Sequence, residues 1–343
     1  MPNISKYEID MLDVGAADAF IIHAFVSDTT GTEKEYVVLV DAGNEADGKV
    51  IRDHIQNYYT QQYIDLAIIT HCDVDHYGGM QYLIDKHNDT RDIFKIKKVW
   101  VHDPYNHVNL SDVKYVRNNN SLRERLNAAY SFSDGSNLLK LLDDSGITRK
   151  EVFRGDECSI LNLKVLGPDR NYYESLIPNF RVNVDFRDEF VDDVYLYDER
   201  QTEDEFYSKT LEDALDDQSS VNQSSIIFLF EPNNLKYLFT GDAGKDALHR
   251  IIKADNYNRL SNIDWLKVPH HGSKHNLDNH IISYFHPKVS YLSTEKIGKF
   301  ANRCTINALK KVGDVYSTHK VKRAICHSCN TNKREDYSKI ESL

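Results

Sequence analysis

The pattern of apolar and polar positions predicts two successive series of short strands and helices. In the first half, strand patterns fall at about 7–14, 18–26, 35–41 and 64–69, with helix patterns near 48–60 and from 77 onward. In the second half, strand patterns fall at 225–230, 236–240, 263–268 and 288–292, with helix patterns at 244–254 and 277–284. Together the two halves predict an α/β fold with four layers, in which two sheets pack face to face between outer helices.

Two stretches interrupt this pattern and are predicted to be insertions into a single domain that covers residues 1–343. The first, at about 103–150, contains leucines at helical spacing and is expected to be helical. The second, at about 168–219, combines aromatic residues with many acidic residues. We expect it to form a lid over the functional site, with a small partner-binding patch as the alternative.

Composition is that of a globular chain without a membrane span. The 343 residues are 41% hydrophobic with a mean hydropathy of -0.56, and no stretch approaches the ~20 apolar residues that cross a bilayer. The N-terminus has no basic and apolar leader, and the five cysteines are scattered. We therefore expect a cytoplasmic protein without a disulfide framework.

Residues 70–79 read THCDVDHYGG and follow an apolar run that is typical of a buried strand. Alternation along an extended loop would direct His71, Asp73 and Asp75 to one side, while His76 can turn to the opposite side of a shared pocket. One loop could therefore supply ligands to two neighbouring metals. The alternative is a polar loop in which Asp75 caps a helix and the histidines are solvated.

Two later segments place further ligand-type side chains at strand ends. The strand pattern at 236–240 continues into Gly241-Asp242, where a carboxylate can bridge two cations. The strand pattern at 263–268 continues into the pair His270-His271, which suits a metal or a phosphate. Gly-Asp turns are common by themselves, but the three segments together predict a centre with two metals.

With these motifs the sequence resembles the metallo-β-lactamase superfamily, and within it the ComEC-like competence nuclease branch. The segments that carry the resemblance are IDMLDVGAADAFII at 9–22, VVLVDAGN at 37–44, THCDVDHYGG at 70–79, VNQSSIIFLF at 221–230, FTGDAG at 239–244 and LKVPHHGS at 266–273. The resemblance implies the αββα metallo-β-lactamase sandwich, with metals at one edge of the two sheets.

The resemblance also implies a ligand for each position of the metal centre. It places His71, Asp73 and Asn222 around one metal, Asp75, His76 and His270 around the other, and Asp242 between them. His271 would replace or assist His270, because a sequence does not show which imidazole of an adjacent pair faces inward. We favour His270, which lies nearer the strand end. Asp41 would accept a hydrogen bond from a ligand histidine or act as a structural cap.

The donor set bears on the identity of the metals. In the ComEC form, aspartate at position 73 replaces the second histidine of the usual superfamily pattern. A hard oxygen donor shifts the preference from zinc towards manganese or magnesium. The expected cofactors are therefore two divalent ions, manganese or zinc, with magnesium as a further option. Cys72 lies between ligands and is predicted only to pack in the core.

The predicted chemistry is attack by hydroxide. Two divalent cations would lower the pKa of a bridging water from about 15.7 towards 7. Asp75 would orient that water and accept its proton. The segment from Gly272 to Lys274 would hold a phosphate, unless it forms an ordinary exposed turn. His271 and His275 are candidates for protonating the leaving oxygen.

These features favour a metal-dependent phosphodiesterase or nuclease that acts on DNA, RNA or a nucleotide. The formal net charge of -11 opposes a broad phosphate-binding surface, although basic segments at 114–125 and 310–323 could provide local positive charge. One alternative is a hydrolase of a small phosphodiester, ester, thioester or lactam. Another is a binding or regulatory module with a vestigial metal site. No membrane partner is expected, and the sequence names no protein partner.

Overall fold

Two seven-stranded sheets form the frame of the protein. The computed structural model describes residues 3–84, 94–108, 119–180, 209–295, 297, 301–319, 324–329 and 342–343. The first sheet consists of β1 (Asn3–Leu12), β2 (Phe20–Ser27), β3 (Glu33–Val40), β4 (Leu66–Ile68), β5 (Lys98–Trp100), β6 (Thr148–Lys150) and β14 (Ala324–Cys329). The second consists of β7 (Glu157–Cys158), β8 (Leu163–Gly167), β9 (Ile227–Phe230), β10 (Tyr237–Phe239), β11 (Trp265–Lys267), β12 (Val289–Leu292) and β13 (Asp314–Ser317).

The two sheets share one pattern of strand direction. The first has the order β14-β1-β2-β3-β4-β5-β6 and is antiparallel as far as β3, then parallel. The second has the order β13-β12-β11-β10-β9-β8-β7 and is antiparallel from β7 to β10, then parallel. Loops at the carboxyl ends of parallel strands share one edge of a sheet. The motif loops follow β4 in one sheet and β10 and β11 in the other, so they lie at one edge of each sheet.

Ten α-helices of the described residues accompany the strands: α1 (Gly48–Tyr58), α2 (Val74–Tyr77), α3 (Met80–Ile84), α4 (Asn119–Ala128), α5 (Leu138–Asp144), α6 (Arg170–Leu176), α7 (Ser220–Gln223), α8 (Lys245–Ala254), α9 (Asn279–Phe285) and α10 (Arg303–Lys310). Within the described ranges, none of the helices combines the length and the apolar character that crossing a bilayer requires.

Three apolar clusters account for the layering. On β2, Ile22 packs between the sheets against residues such as Phe228 and Trp265, while its neighbour Ile21 faces the helices on the other side. A third cluster lies between the second sheet and α8, α9 and α10. Each fully buried side chain of this size contributes roughly 1.5–3 kcal/mol. The layers are helix, sheet, sheet, helix, and the predicted αββα sandwich is confirmed.

The predicted insertions are only partly described. In the first, Leu122 and Leu126 on α4 are buried in the core, and β6 returns to the edge of the first sheet. In the second, Tyr173 and Phe180 join the same core cluster, so these two aromatic residues do not line a lid. Residues 181–208, which make up most of the predicted lid, lie outside the described residues. The lid stays a prediction.

The segment predicted as a basic tail is partly core structure. Residues 314–317 form β13, which pairs with β12, and Val315 is fully buried. Residues 114–118 and 320–323 lie outside the described residues, so part of each predicted basic segment stays untested.

Candidate metal centre

Three loops bring a group of histidines and aspartates together between the sheets. His71 comes from the loop after β4 and His76 from the short helix α2 that follows it. Asp242 comes from the loop after β10 and His271 from the loop after β11, and all four side chains are buried. In the group His71, His76 and Asp242, ligand atoms lie within 4.8 Å of one another. In the group Asp75, His76 and His271, ligand atoms also lie within 4.8 Å of one another. The structure thus assembles two adjoining groups that could each hold a metal ion.

Asp242 lies at the centre of the assembly. Its Oδ2 atom is 3.3 Å from His76 Nε2, 3.8 Å from His270 Nε2 and 3.9 Å from His271 Nε2. Asp75 Oδ2 is 3.4 Å from His271 Nε2 and 3.7 Å from His76 Nε2. One carboxylate that reaches several imidazoles has the position expected of a bridging ligand.

Asp73 lies on the other side of His71. Its Oδ2 atom is 3.5 Å from His71 Nε2, and both side chains are buried. Cys72, between them in sequence, points into the apolar cluster under the first sheet. Cys72 packs in the core as predicted, whereas Asp75 groups with His76 and His271 rather than with His71 and Asp73.

The imidazoles are held from behind by their Nδ1 atoms. His76 Nδ1 is 2.8 Å from Asp41 Oδ2, which is the hydrogen bond that the resemblance implied for Asp41. His71 Nδ1 is 3.0 Å from Thr70 Oγ1, and His271 Nδ1 is 2.9 Å from the carbonyl oxygen of Ser293. Such hydrogen bonds fix the tautomer and direct Nε2 towards a metal.

The histidine pair after β11 differs from the sequence-based preference. His270 and His271 both have left-handed backbone angles, with φ of 45° and 52°. This turn buries His271 and directs its Nε2 to Asp75, while the ring of His270 lies against Asp217 and is partly open to solvent. The geometry therefore favours His271 over His270 as the ligand, contrary to our preference from strand position.

Asn222 belongs to a different network from the one predicted. Its Nδ2 atom donates to Asp217 Oδ2 over 2.8 Å, and its Oδ1 accepts from Ser219 Oγ over 3.0 Å. Asp217 Oδ2 also lies 3.1 Å from His270 Nδ1 and accepts from Asn276 Nδ2 over 3.1 Å. The amide of Asn222 thus helps to hold Asp217 and His270, and its contacts do not support the predicted ligand role.

Two charged residues of the centre were missed at the sequence level. Lys267 is buried on β11, donates from Nζ to the Gly241 carbonyl oxygen over 2.7 Å, lies 3.3 Å from Asp242 Oδ1 and forms an ion pair with Asp18. Asp18 is fully buried, and its carboxylate lies 3.6 Å from His271 Nδ1 and 3.7 Å from His76 Nδ1. A lysine in an otherwise apolar buried strand was the available signal.

The excess of carboxylates favours positive charge throughout the centre. Burial opposes a charged imidazole at His76, but Asp242, Asp75 and Asp41 outweigh it and raise its pKa well above the usual value. Burial also opposes charge at Lys267, yet Asp18 and Asp242 raise its pKa. Burial would raise the pKa of Asp75, but His76 and His271 lower it below its usual range. A site with these properties attracts cations.

The loop after His271 provides one predicted phosphate-binding residue, Lys274. Ser273 and Lys274 are both buried, so they do not form the ordinary exposed turn that was the alternative. Burial raises the pKa of the Cys304 thiol on α10, and Thr305 and the ammonium of Lys274 partly offset this effect. That Lys274 holds a phosphate stays a prediction.

The residues fit a pair of divalent cations. The Nε2 atoms of His71 and His76 are buried, and within the described part of the chain neither makes a hydrogen bond of regular geometry, although carboxylate oxygens lie 3.5 Å and 3.3 Å away. A buried polar atom without a partner is rare and calls for an explanation such as a missing ion. Imidazole and carboxylate donors suit zinc and manganese alike.

Comparison with known proteins finds a family profile, a curated relative and a solved structure that are similar to this chain. Residues 25–153 match the sequence profile of the metallo-beta-lactamase superfamily. ComE operon protein 3 of Bacillus subtilis (strain 168) is 23% identical over 315 residues, which cover 86% of this chain and 29% of that protein. The crystal structure of a long form RNase Z from yeast matches with a TM-score of 0.38 and 11% identity, over 84% of this chain and 38% of that one. Over residues 25–153 the chain is thus similar to the metallo-β-lactamase superfamily, which its motifs resemble.

Proposed function

We propose that this protein is a metal-dependent phosphodiesterase that cleaves strands of DNA or RNA. The observation that carries the proposal is the position of Asp242 Oδ2, within 4 Å of the Nε2 atoms of His76, His270 and His271. Two further aspartates, Asp73 and Asp75, adjoin this cluster. A donor set rich in oxygen supports hard divalent cations, which are the ions used most widely in phosphoryl chemistry.

The residues divide into two sets of metal ligands around Asp242. His71 and Asp73 would hold one ion, Asp75, His76 and His271 would hold the other, and Asp242 would be shared. When bound, divalent cations supply Lewis acidity, which activates water at neutral pH and offsets charge on a phosphodiester. Lys267 would keep Asp242 in place by holding its second oxygen, Oδ1.

Asp75 is the residue that would handle the proton of the attacking water. Its side chain is 21% exposed, against 4% for Asp242, so a substrate or water can reach it from the opening of the site. Burial raises the pKa of Asp75, but His76 and His271 lower it by more, so the carboxylate stays ionised at neutral pH. An ionised carboxylate can orient a water and accept its proton.

His270 would donate a proton to the leaving oxygen. Burial opposes its charge, but Asp242 and Asp217 raise the pKa of His270 to about 9. Asp217 fixes the ring through Nδ1, which leaves Nε2 directed to the centre. His270, held by Asp217, replaces His271 and His275 as our candidate for protonating the leaving oxygen. His271 faces the metal ligands, and His275 contacts the carbonyl oxygen of Leu215.

The test is hydrolysis of fluorescent single-stranded DNA in manganese, magnesium or zinc. Wild type, Asp75→Ala and the control Asp53→Ala are compared, since Asp53 is an exposed carboxylate on α1 paired with Lys49. We expect metal-dependent cleavage by wild type and the control, with a loss of roughly 10²-fold or more in Asp75→Ala. Circular dichroism of each variant checks that folding is retained.

The other outcomes separate the alternatives. Undiminished cleavage by a folded Asp75→Ala variant would overturn the assignment of Asp75. Absence of cleavage by folded, metal-loaded wild type would favour a small phosphodiester, ester, thioester or lactam as substrate, which the net charge of -11 also allows. A purified protein with well under one divalent ion per chain would favour the binding or regulatory module.

A further inference from the structure

Two histidines and an aspartate meet on the outer surface of the second half of the protein, where α8 packs against α9. His249 lies on α8, Asp278 is the N-cap residue of α9, and His280 lies in the first turn of α9. One ligand atom from each lies within 4.8 Å of the other two. The imidazole rings of His249 and His280 are 5.3 Å apart. None of the three belongs to the centre described above.

The carboxylate of Asp278 is fixed by the start of α9. Its Oδ1 accepts a hydrogen bond of 2.7 Å from the backbone N–H of Ile281. Its Oδ2 is thereby directed to His249 Nε2, at 2.7 Å. A surface hydrogen bond explains the pair His249 and Asp278, but it does not explain why a second imidazole joins them from the other helix. Two imidazoles and one carboxylate form a common set of zinc ligands.

The local charge is compatible with a cation. Lys245 is buried, which lowers its pKa, and the carboxylates of Asp278, Asp216 and Glu212 partly offset that effect. Three carboxylates therefore act on one ammonium group at this end of α8. The side chain of Glu212 accepts a hydrogen bond from Asn279, next to Asp278. The excess negative charge would favour a divalent ion over an empty site.

We propose that His249, Asp278 and His280 form a separate, exchangeable site for zinc or a similar borderline metal, which clamps α8 to α9. The three protein ligands leave a position for water, as is usual in open rather than closed zinc sites. Since α8 begins three residues after Asp242 and α9 begins eight residues after His271, the clamp would tie together the helices that follow both second-half loops of the centre.

The experiment is a zinc titration of the full chain by calorimetry, carried out in an Asp242→Asn background that weakens the first centre. The parent is compared with the variants His280→Gln and His249→Gln/His280→Gln. His286→Asn is the matched control, since His286 lies at the other end of α9 and asparagine tolerates its left-handed backbone, φ 41°. We expect the double variant to lose one zinc equivalent or to bind it at least tenfold more weakly than the parent. His280→Gln should show a smaller loss, and His286→Asn should bind zinc like the parent.

Thermal unfolding provides a second measurement on the same proteins. Zinc should raise the Tm of the parent and of His286→Asn, because an ion that binds only the folded state stabilises it. Any rise in Tm with magnesium should be the same in the parent and in the double variant, since a site with two imidazole ligands does not suit magnesium. Equal zinc affinity, stoichiometry and Tm shift in the double variant and the parent would overturn the proposal.

Discussion

Replacing Lys267 by methionine would remove the ammonium group from a buried cluster of carboxylates. The side chain is 2% exposed, and its Nζ atom contacts Asp18, Asp242 and the Gly241 carbonyl oxygen. Methionine has nearly the same length and shape, so the change removes charge with little change in packing. Asp18 and Asp242 would stay buried without their permanently charged partner.

The size of the effect can be worked out from this geometry. At 3.3 Å from Asp242 Oδ1, the gross attraction is about 5 kcal/mol with an effective dielectric constant of about 20. Desolvation of the pair offsets part of this, and removal of one member of a buried pair typically costs about 3–5 kcal/mol. We therefore expect the free energy of unfolding of the metal-free protein to fall by about 3–5 kcal/mol.

A second substitution tests the cause of the loss. Asp18→Asn in the Lys267→Met background removes one uncompensated charge, so we expect it to restore about 2 kcal/mol. Saturating divalent metal should also reduce the loss, because cations beside Asp242 replace part of the missing charge. The control is Lys288→Met, because Lys288 forms an exposed ion pair with Asp264 and such pairs contribute about 0–1 kcal/mol.

Urea unfolding followed by circular dichroism, in chelator and in excess metal, measures these free energies. Two results would refute the reasoning: a loss below about 1 kcal/mol in chelator, or a double variant that is no more stable than Lys267→Met. Either would mean that Asp18 is stabilised mainly by other neighbours.

Two further predictions concern other buried groups. Asp217→Asn should lower kcat by about 10–100-fold without reducing bound metal, because Asp217 positions His270; an equal loss of metal, measured by elemental analysis, would show instead that Asp217 supports the metal ligands. Burial lowers the pKa of His327 in the folded protein to about 4. As the pH falls below about 6.5, the unfolded protein therefore takes up a proton at this histidine while the folded protein does not. Stability should therefore be complete above that pH and decrease by about 1–2 kcal/mol between pH 7 and pH 5, and urea unfolding of His327→Gln should show a smaller decrease.

Much of the fold was predictable because each motif joins a strand pattern to a loop of fixed chemistry. The strands that precede the loops were predicted within about two residues, for example 236–240 against Tyr237–Phe239. A buried strand has a strong apolar signal, and the polar residues just beyond it must lie at the sheet edge. The same reasoning placed His71, Asp73 and His76 close together.

The rest depended on contacts that no local pattern shows. The choice between His270 and His271 depends on a left-handed turn that histidine seldom adopts, with φ of 45° and 52°. Asp217 was hidden in an acidic run that suggested solvent exposure, yet its side chain is 10% exposed and holds His270. Asp18 lies in the segment at 9–22, but its place in the centre depends on an ion pair with Lys267, almost 250 positions away.

The strand β14 extends the first sheet by pairing with β1, so that Tyr7 lies opposite Cys329. During synthesis the outer edge of β1 stays unpaired until more than 300 further residues have been added and β14 has left the ribosome. An apolar strand with an open edge can pair with other chains during that interval. Nascent chains that stop before residue 324 should therefore aggregate or require a chaperone, and refolding of the whole chain should be slow because its contacts are so distant in sequence.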